Sequence, residues 1–122
     1  MPRFVVLHHV TPAASSRGEH WDLMLEDNGQ LLTWALDQAP SAGATISATK
    51  LANHRLAYLD YEGPLSNDRG HVTRVDFGNY EWLSRDAAGL SLVLRGKQAS
   101  LDVQLSQDKD DIWTATIPAQ SK

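Results

Sequence analysis

Apolar and polar residues alternate with a period of two along most of the chain, the spacing at which successive side chains of a strand take opposite faces. The alternation predicts strands over Arg3 to Val10, Glu19 to Glu26, Gln30 to Leu36, Thr45 to Leu51 and Ala57 to Glu62. Further strands are predicted over His71 to Phe77, Leu90 to Arg95, Ser100 to Leu105 and Ile112 to Ile117. Asp27-Asn28-Gly29 supplies a hairpin turn, because Asn and Gly accept the positive φ that such turns require. About eight to ten short strands separated by turn residues predict an all-β fold. A compact antiparallel β-barrel, with short helical turns at most, would also hide the strand edges; a sandwich is the other arrangement. Ser84 to Gly89 has room for one helical turn.

Three stretches interrupt the pattern. Thr11 to Gly18 is polar and rich in small residues, and is expected to be mobile; Ala39 to Ala44 is a connector. Gly63 to Gly70 combines Pro, Asn, Asp and two glycines, the composition of a long turn. No internal repeat or linker divides the chain, which reads as one domain over residues 1–122 with a frayed tail from Pro118.

Composition narrows the class. With 42% hydrophobic and 21% charged residues, the chain can bury a core and is neither disordered nor membrane-spanning in character. The absence of cysteine removes disulfides, thiolate metal sites and cysteine nucleophiles, and cytoplasmic residence is the expectation. The net charge of -4 argues against a general nucleic-acid coat protein, whose affinity would need a basic excess. Any contact with nucleic acid is expected at one local site or through a metal ion.

The candidate chemistry centres on His20-Trp21-Asp22. On a strand, His20, Asp22, Met24 and Glu26 share one face, and the imidazole and carboxylate of a His-x-Asp pair form two ligands of a divalent metal site. A third ligand must come from another strand. His8 and His9 face opposite sides of the first strand, so one of them can join; spacing alone does not choose between them. A surface Asp that orients a His is the commoner meaning of such a pair. His54 and Tyr58 share a face if their segment is extended, and both can donate to an oxyanion. Trp34, Trp82 and Trp113 are read as packing residues rather than base-stacking platforms.

The order of these segments resembles the 3′-phosphoesterase domain of bacterial DNA ligase D. The resemblance runs from Phe4-Val5-Val6-Leu7-His8-His9 through His20-Trp21-Asp22-Leu23-Met24-Leu25-Glu26 and Leu32-Thr33-Trp34-Ala35-Leu36. It continues through His54-Arg55-Leu56-Ala57-Tyr58 to Glu62-Gly63, then Gly70-His71-Val72 and Gly78-Asn79-Tyr80-Glu81-Trp82, and ends near Trp113. It implies a compact β-barrel with a cavity for manganese, held by His9, His20 and Asp22, with His8 as the alternative to His9. It also implies that His54 and Tyr58 contact the phosphate. Members of the family trim 3′ ends of DNA or of DNA–RNA primers, removing a terminal ribonucleoside and then the 3′-phosphate. A ligase or polymerase acting in trans is the partner this suggests for a monomeric, free-standing chain.

Two positions depart from that pattern. The family's phosphate-gripping arginine falls on Met24, and its lysine after the third strand falls on Gln38. A thioether and an amide cannot replace two cations, although Arg17, Lys50 and Arg55 are alternative sources of charge. The resulting expectation is a metal-dependent 3′-phosphoesterase acting in DNA repair. Its competitors are a non-catalytic module that binds metal or nucleic-acid ends, and a hydrolase of small phosphoesters.

Overall fold

A computed structural model describes residues 2–12, 18–87 and 89–119. The chain forms β1 (Arg3–Val10), β2 (His20–Asp27), β3 (Gln30–Leu36), β4 (Thr45–His54), the two-residue β5 (Gly63–Pro64), β6 (His71–Asp86), β7 (Gly89–Gly96), β8 (Ser100–Lys109) and β9 (Ile112–Thr116). The neighbour order β1-β2-β3-β4-β9-β8-β7-β6 is closed by antiparallel pairing of β1 with β6, giving an eight-strand barrel to which β5 is appended. No helix of the described residues is long and apolar enough to cross a membrane.

Alternation sorts the side chains into two clusters. All eight barrel strands contribute to the larger one, including Phe4, Leu23, Trp34, Ile46, Tyr80, Leu92, Val103 and Ala115, which fill the interior. Trp34 and Trp113 meet edge to face there with ring centroids 5.6 Å apart, and Trp82 packs against the same core. The alternate residues of β1, β2 and β3 point outward. Val5, Leu7, Met24 and Leu31 are nevertheless buried, because Leu59, Tyr58, Tyr61 and Leu65 of the β4–β6 connection pack over them.

That connection corrects one expected strand. Ala57 to Glu62 is not extended; Leu56–Leu59 is a 3₁₀ turn. The segment turns instead, seating Leu59 on the outer apolar patch before the chain reaches β5 on the free edge of β6. The helical turn expected near Ser84 likewise gives way to strand, with Ser84 to Asp86 in β6 and Gly89 opening β7. Strand β6 runs through Asp86 and pairs with the start of β7, with Asp86 opposite Gly89.

Sixteen residues make β6 twice as long as its neighbour β7, because it serves two neighbours in succession. Its first part pairs with β1 and its second with β7, and Gly78 pairs with both Phe4 and Gly96 at the handover. A Cβ at Gly78 would lie 2.1 Å from the Arg95 carbonyl oxygen, so only glycine fits there. Register breaks skip Val75 and Leu83, the extra residues of two bulges, which explains why these apolar side chains are exposed. The expected mobile loop falls largely on residues 13–17 and the end of the frayed tail on residues 120–122, both outside the described residues.

Candidate metal centre

Pairing of β1 with β2 sets His9 opposite His20 and Leu7 opposite Asp22. The three polar residues therefore share the outward face with Leu7 and Met24, on the barrel wall rather than inside the barrel. His20 and Asp22 are each only 4% exposed. One ligand atom from each of His9, His20 and Asp22 lies within 4.8 Å of the other two, so the group can hold a metal ion. His8 points to the other side. It stacks on Trp21 at 4.6 Å and pairs with Glu19, so the structure brings His9 and not His8 to the cluster.

The hydrogen bonds around the rings define what faces the centre. His9 Nε2 lies 2.8 Å from the Arg69 carbonyl oxygen, and His20 Nδ1 lies 2.9 Å from that of Gly18. A carbonyl can only accept, so each of these nitrogens carries the proton. In the neutral rings, His9 Nδ1 and His20 Nε2 are then the lone-pair nitrogens, and they face each other at 3.1 Å. Asp22 adds Oδ1 at 3.2 Å from His20 Nε2 and Oδ2 at 3.7 Å from His9 Nδ1. Oδ1 is buried and lies off the line a hydrogen bond needs, so it has an electrostatic neighbour but no hydrogen-bond donor.

Three acceptors thus converge with no proton of their own between them, and outer carbonyls fix both imidazole tautomers. This is how proteins orient histidine ligands of metals, and the donor set fits a divalent ion. The interaction with Asp22 raises the His9 pKa above the ordinary imidazole range, against the opposing effect of burial. For Asp22, burial pushes the carboxyl pKa up, but the two imidazoles outweigh it and hold it below the usual range.

His54 and Tyr58 also come together, though not on a common strand. His54 ends β4, Tyr58 lies in the 3₁₀ turn, and their rings meet edge to face with centroids 5.5 Å apart. His54 Nδ1 donates to the Ala52 carbonyl at 2.9 Å, which leaves Nε2 to face a ligand. Among the described residues, no hydrogen bond or ion pair joins this pair to the metal-binding cluster. Tyr58 instead packs on the patch containing Leu7, Met24 and Leu31.

Of the alternative cations, Lys50 is committed elsewhere. It bonds to the Leu51 carbonyl at 2.7 Å and lies 5.1 Å from the centre of the Trp34 ring. Burial lowers its pKa, opposed by Asp111. Arg17 lies outside the described residues. Arg55 lines a pocket with Tyr58, and so does Arg69, whose carbonyl holds His9. Sequence reasoning passed over Arg69. Its signal, a basic residue beside Gly70 in a turn-rich stretch, does not reveal that the turn folds back onto β1. There, a Cβ at Gly70 would lie 1.9 Å from the Val10 carbonyl oxygen.

No curated protein matches the chain. The family model of the DNA ligase D 3′-phosphoesterase domain does match, over residues 9–112. That span takes in all the residues of both groups and all the strands except part of β1 and of β9. The chain belongs to the DNA ligase D 3′-phosphoesterase domain family.

Proposed function

We propose that the chain is a metal-dependent 3′-phosphoesterase that trims a terminal ribonucleotide or a 3′-phosphate from nucleic-acid ends in DNA repair, with manganese as its metal. The observation that carries this reading is the convergence of His9 Nδ1, His20 Nε2 and the Asp22 carboxylate with both tautomers fixed from outside. Two imidazoles and one carboxylate are a donor set that manganese accepts. When bound, such an ion acidifies a water molecule and neutralises charge developing on phosphorus.

The protein's own groups do the rest. His9, His20 and Asp22 would hold the ion beside the reacting phosphate. His54, through Nε2, binds a phosphate oxygen and, when protonated, donates to it or to the leaving oxygen. The Tyr58 hydroxyl fixes a second oxygen. The partners are 3′ ends of DNA or of a DNA–RNA primer, with a ligase or polymerase acting in trans, and the protein works as a cytoplasmic monomer. Met24 and Gln38 favour a second reading, a non-catalytic module that binds metal or nucleic-acid ends.

The test is to incubate the protein with manganese and a primer-template bearing one 3′-terminal ribonucleotide, beside His20→Ala. Shortening by the protein and not by the variant supports the esterase. If neither trims the end while both are folded and the unmutated protein holds metal, the binding module takes its place.

A further inference from the structure

Among the described residues, Arg3, Arg74, Arg85 and Arg95 each have a carboxylate partner within 4.0 Å. Arg55 and Arg69 have none, and both line the same pocket of about 320 Å³. In a chain with four more acidic than basic residues, two cations left without carboxylates on one concavity mark a place for an anion from outside. Arg69 spends two of its hydrogen-bonding groups on Ser66, from Nε to the carbonyl at 2.9 Å and from Nη2 to Oγ at 3.1 Å. These bonds orient the guanidinium and leave further N–H groups to donate.

The pocket wall between the arginines is aromatic. Tyr58 and Tyr61 stand with ring centroids 6.1 Å apart, and the Tyr61 hydroxyl donates to the Pro64 carbonyl, tying the wall to the loop. The same pocket touches both halves of the candidate site. Tyr58 is in ring contact with His54, and the Arg69 carbonyl accepts from His9. Two of the pocket's lining residues, Tyr58 and Arg69, are thus each in direct contact with one histidine of the candidate site.

We infer that this pocket is the anion-binding half of the site and takes one nucleotide unit of the substrate strand, its phosphate on Arg55 and Arg69 and its base or sugar against Tyr58 and Tyr61. The inference rests on the proposed phosphoesterase reading for the identity of that strand. The volume suits a single small ligand. The two arginines supply from a different part of the fold the positive charge absent at Met24 and Gln38.

Adenosine 3′-monophosphate, titrated calorimetrically into the protein in EDTA at low salt, tests the pocket without the metal. The nucleotide is expected to bind more tightly than inorganic phosphate or adenosine alone. Arg55→Gln and Arg69→Gln should each weaken it about tenfold or more, Arg69→Lys should recover part of the loss, and Arg95→Gln, which removes an exposed arginine outside the pocket lining, should bind like the unmutated protein. Both arginines are exposed and Arg69→Gln keeps the backbone carbonyl on His9, so unchanged melting curves are the accompanying control. Undetectable nucleotide binding by the unmutated protein, unweakened binding in both glutamine variants, or phosphate binding as tightly as the nucleotide would overturn the assignment. Arginine-dependent binding without any trimming of 3′ ends sinks the esterase reading and leaves the pocket standing. Trimming with an unchanged KM in both glutamine variants does the reverse.

Discussion

His9 Nδ1 and His20 Nε2 face each other at 3.1 Å, while the opposite nitrogen of each ring is held by a backbone carbonyl. Two lone pairs at that distance repel unless a proton or a cation lies between them. The fold itself therefore creates a place that suits positive charge, with the Asp22 carboxylate on the same side. Manganese should accordingly stabilise the folded protein. At a hundredfold excess over its dissociation constant, the gain is about 2.7 kcal/mol, or a rise in melting temperature on the order of 10 °C for a domain of this size. Asp22→Asn, which keeps the shape and removes the charge, should lose most of that rise. An equal rise in the variant would mean that the ion binds elsewhere.

His8 and His9 are adjacent in sequence and separate in role. His9→Ala should abolish both the manganese-induced shift in melting temperature and any trimming activity. His8→Ala removes a stacked contact with Trp21 and a surface pair with Glu19, a loss of about 1 kcal/mol, and should keep the manganese shift. Thermal melts of the two variants with and without metal check this directly. The reverse pattern would place the ligand on His8.

The strands on either side of this site were legible because alternation is strong there. In β1, β2 and β3, one face fills the barrel and the other is covered, so period two and turn chemistry place each strand to within about a residue. The His9–His20–Asp22 cluster followed from the same alternation combined with the family resemblance. What failed did so for tertiary reasons. Ala57 to Glu62 has strand-like alternation, but burial of Leu59 on the outer patch favours a turn. The far half of β6 was hidden by its bulge at Leu83, which breaks the period while the ladder continues. Arg69 could not be found at all, since its role depends on a turn returning across sixty residues to touch His9.

Tyr80 provides a probe of the barrel remote from the candidate site. Its hydroxyl donates to the Glu26 carbonyl at 2.7 Å, and burial, helped by Asp27, pushes its pKa up to about 12. A phenol with a raised folded-state pKa contributes stability that is fully present below its unfolded value near 10, and that contribution is lost as pH rises toward about 12. At pH 7, Tyr80→Phe should be less stable by about 1 kcal/mol through the lost hydrogen bond. The gap should narrow between pH 10 and about 12, because only the unmutated protein must ionise or strain a buried phenol. Urea melts of both proteins across that window decide it, and a gap that stays constant would refute the assignment of the alkaline transition to Tyr80.

The resemblance to the family implies a phosphate-gripping arginine at the position of Met24, and from sequence alone Met24→Arg looks like a restoration. The structure opposes that expectation. Met24 is 2% exposed and packs with Val5, Leu7, Leu31 and Leu59. A guanidinium in this patch would be desolvated, and the apolar covering by the 3₁₀ turn would be lost with it. Two carboxylates, Asp22 and Glu26, share the face, but Asp22 is directed at the two imidazoles and Glu26 accepts from the Arg3 amide at 2.9 Å. Met24→Arg should therefore cost about 2 kcal/mol or more in stability and give no faster trimming of 3′ ends, which thermal melts and the primer assay measure together. Faster trimming at undiminished stability would instead mean that the connection over β2 can move aside and admit a cation. The chain's phosphate grip would then be a single substitution away from the family's, and Arg55 and Arg69 would not be needed to explain it.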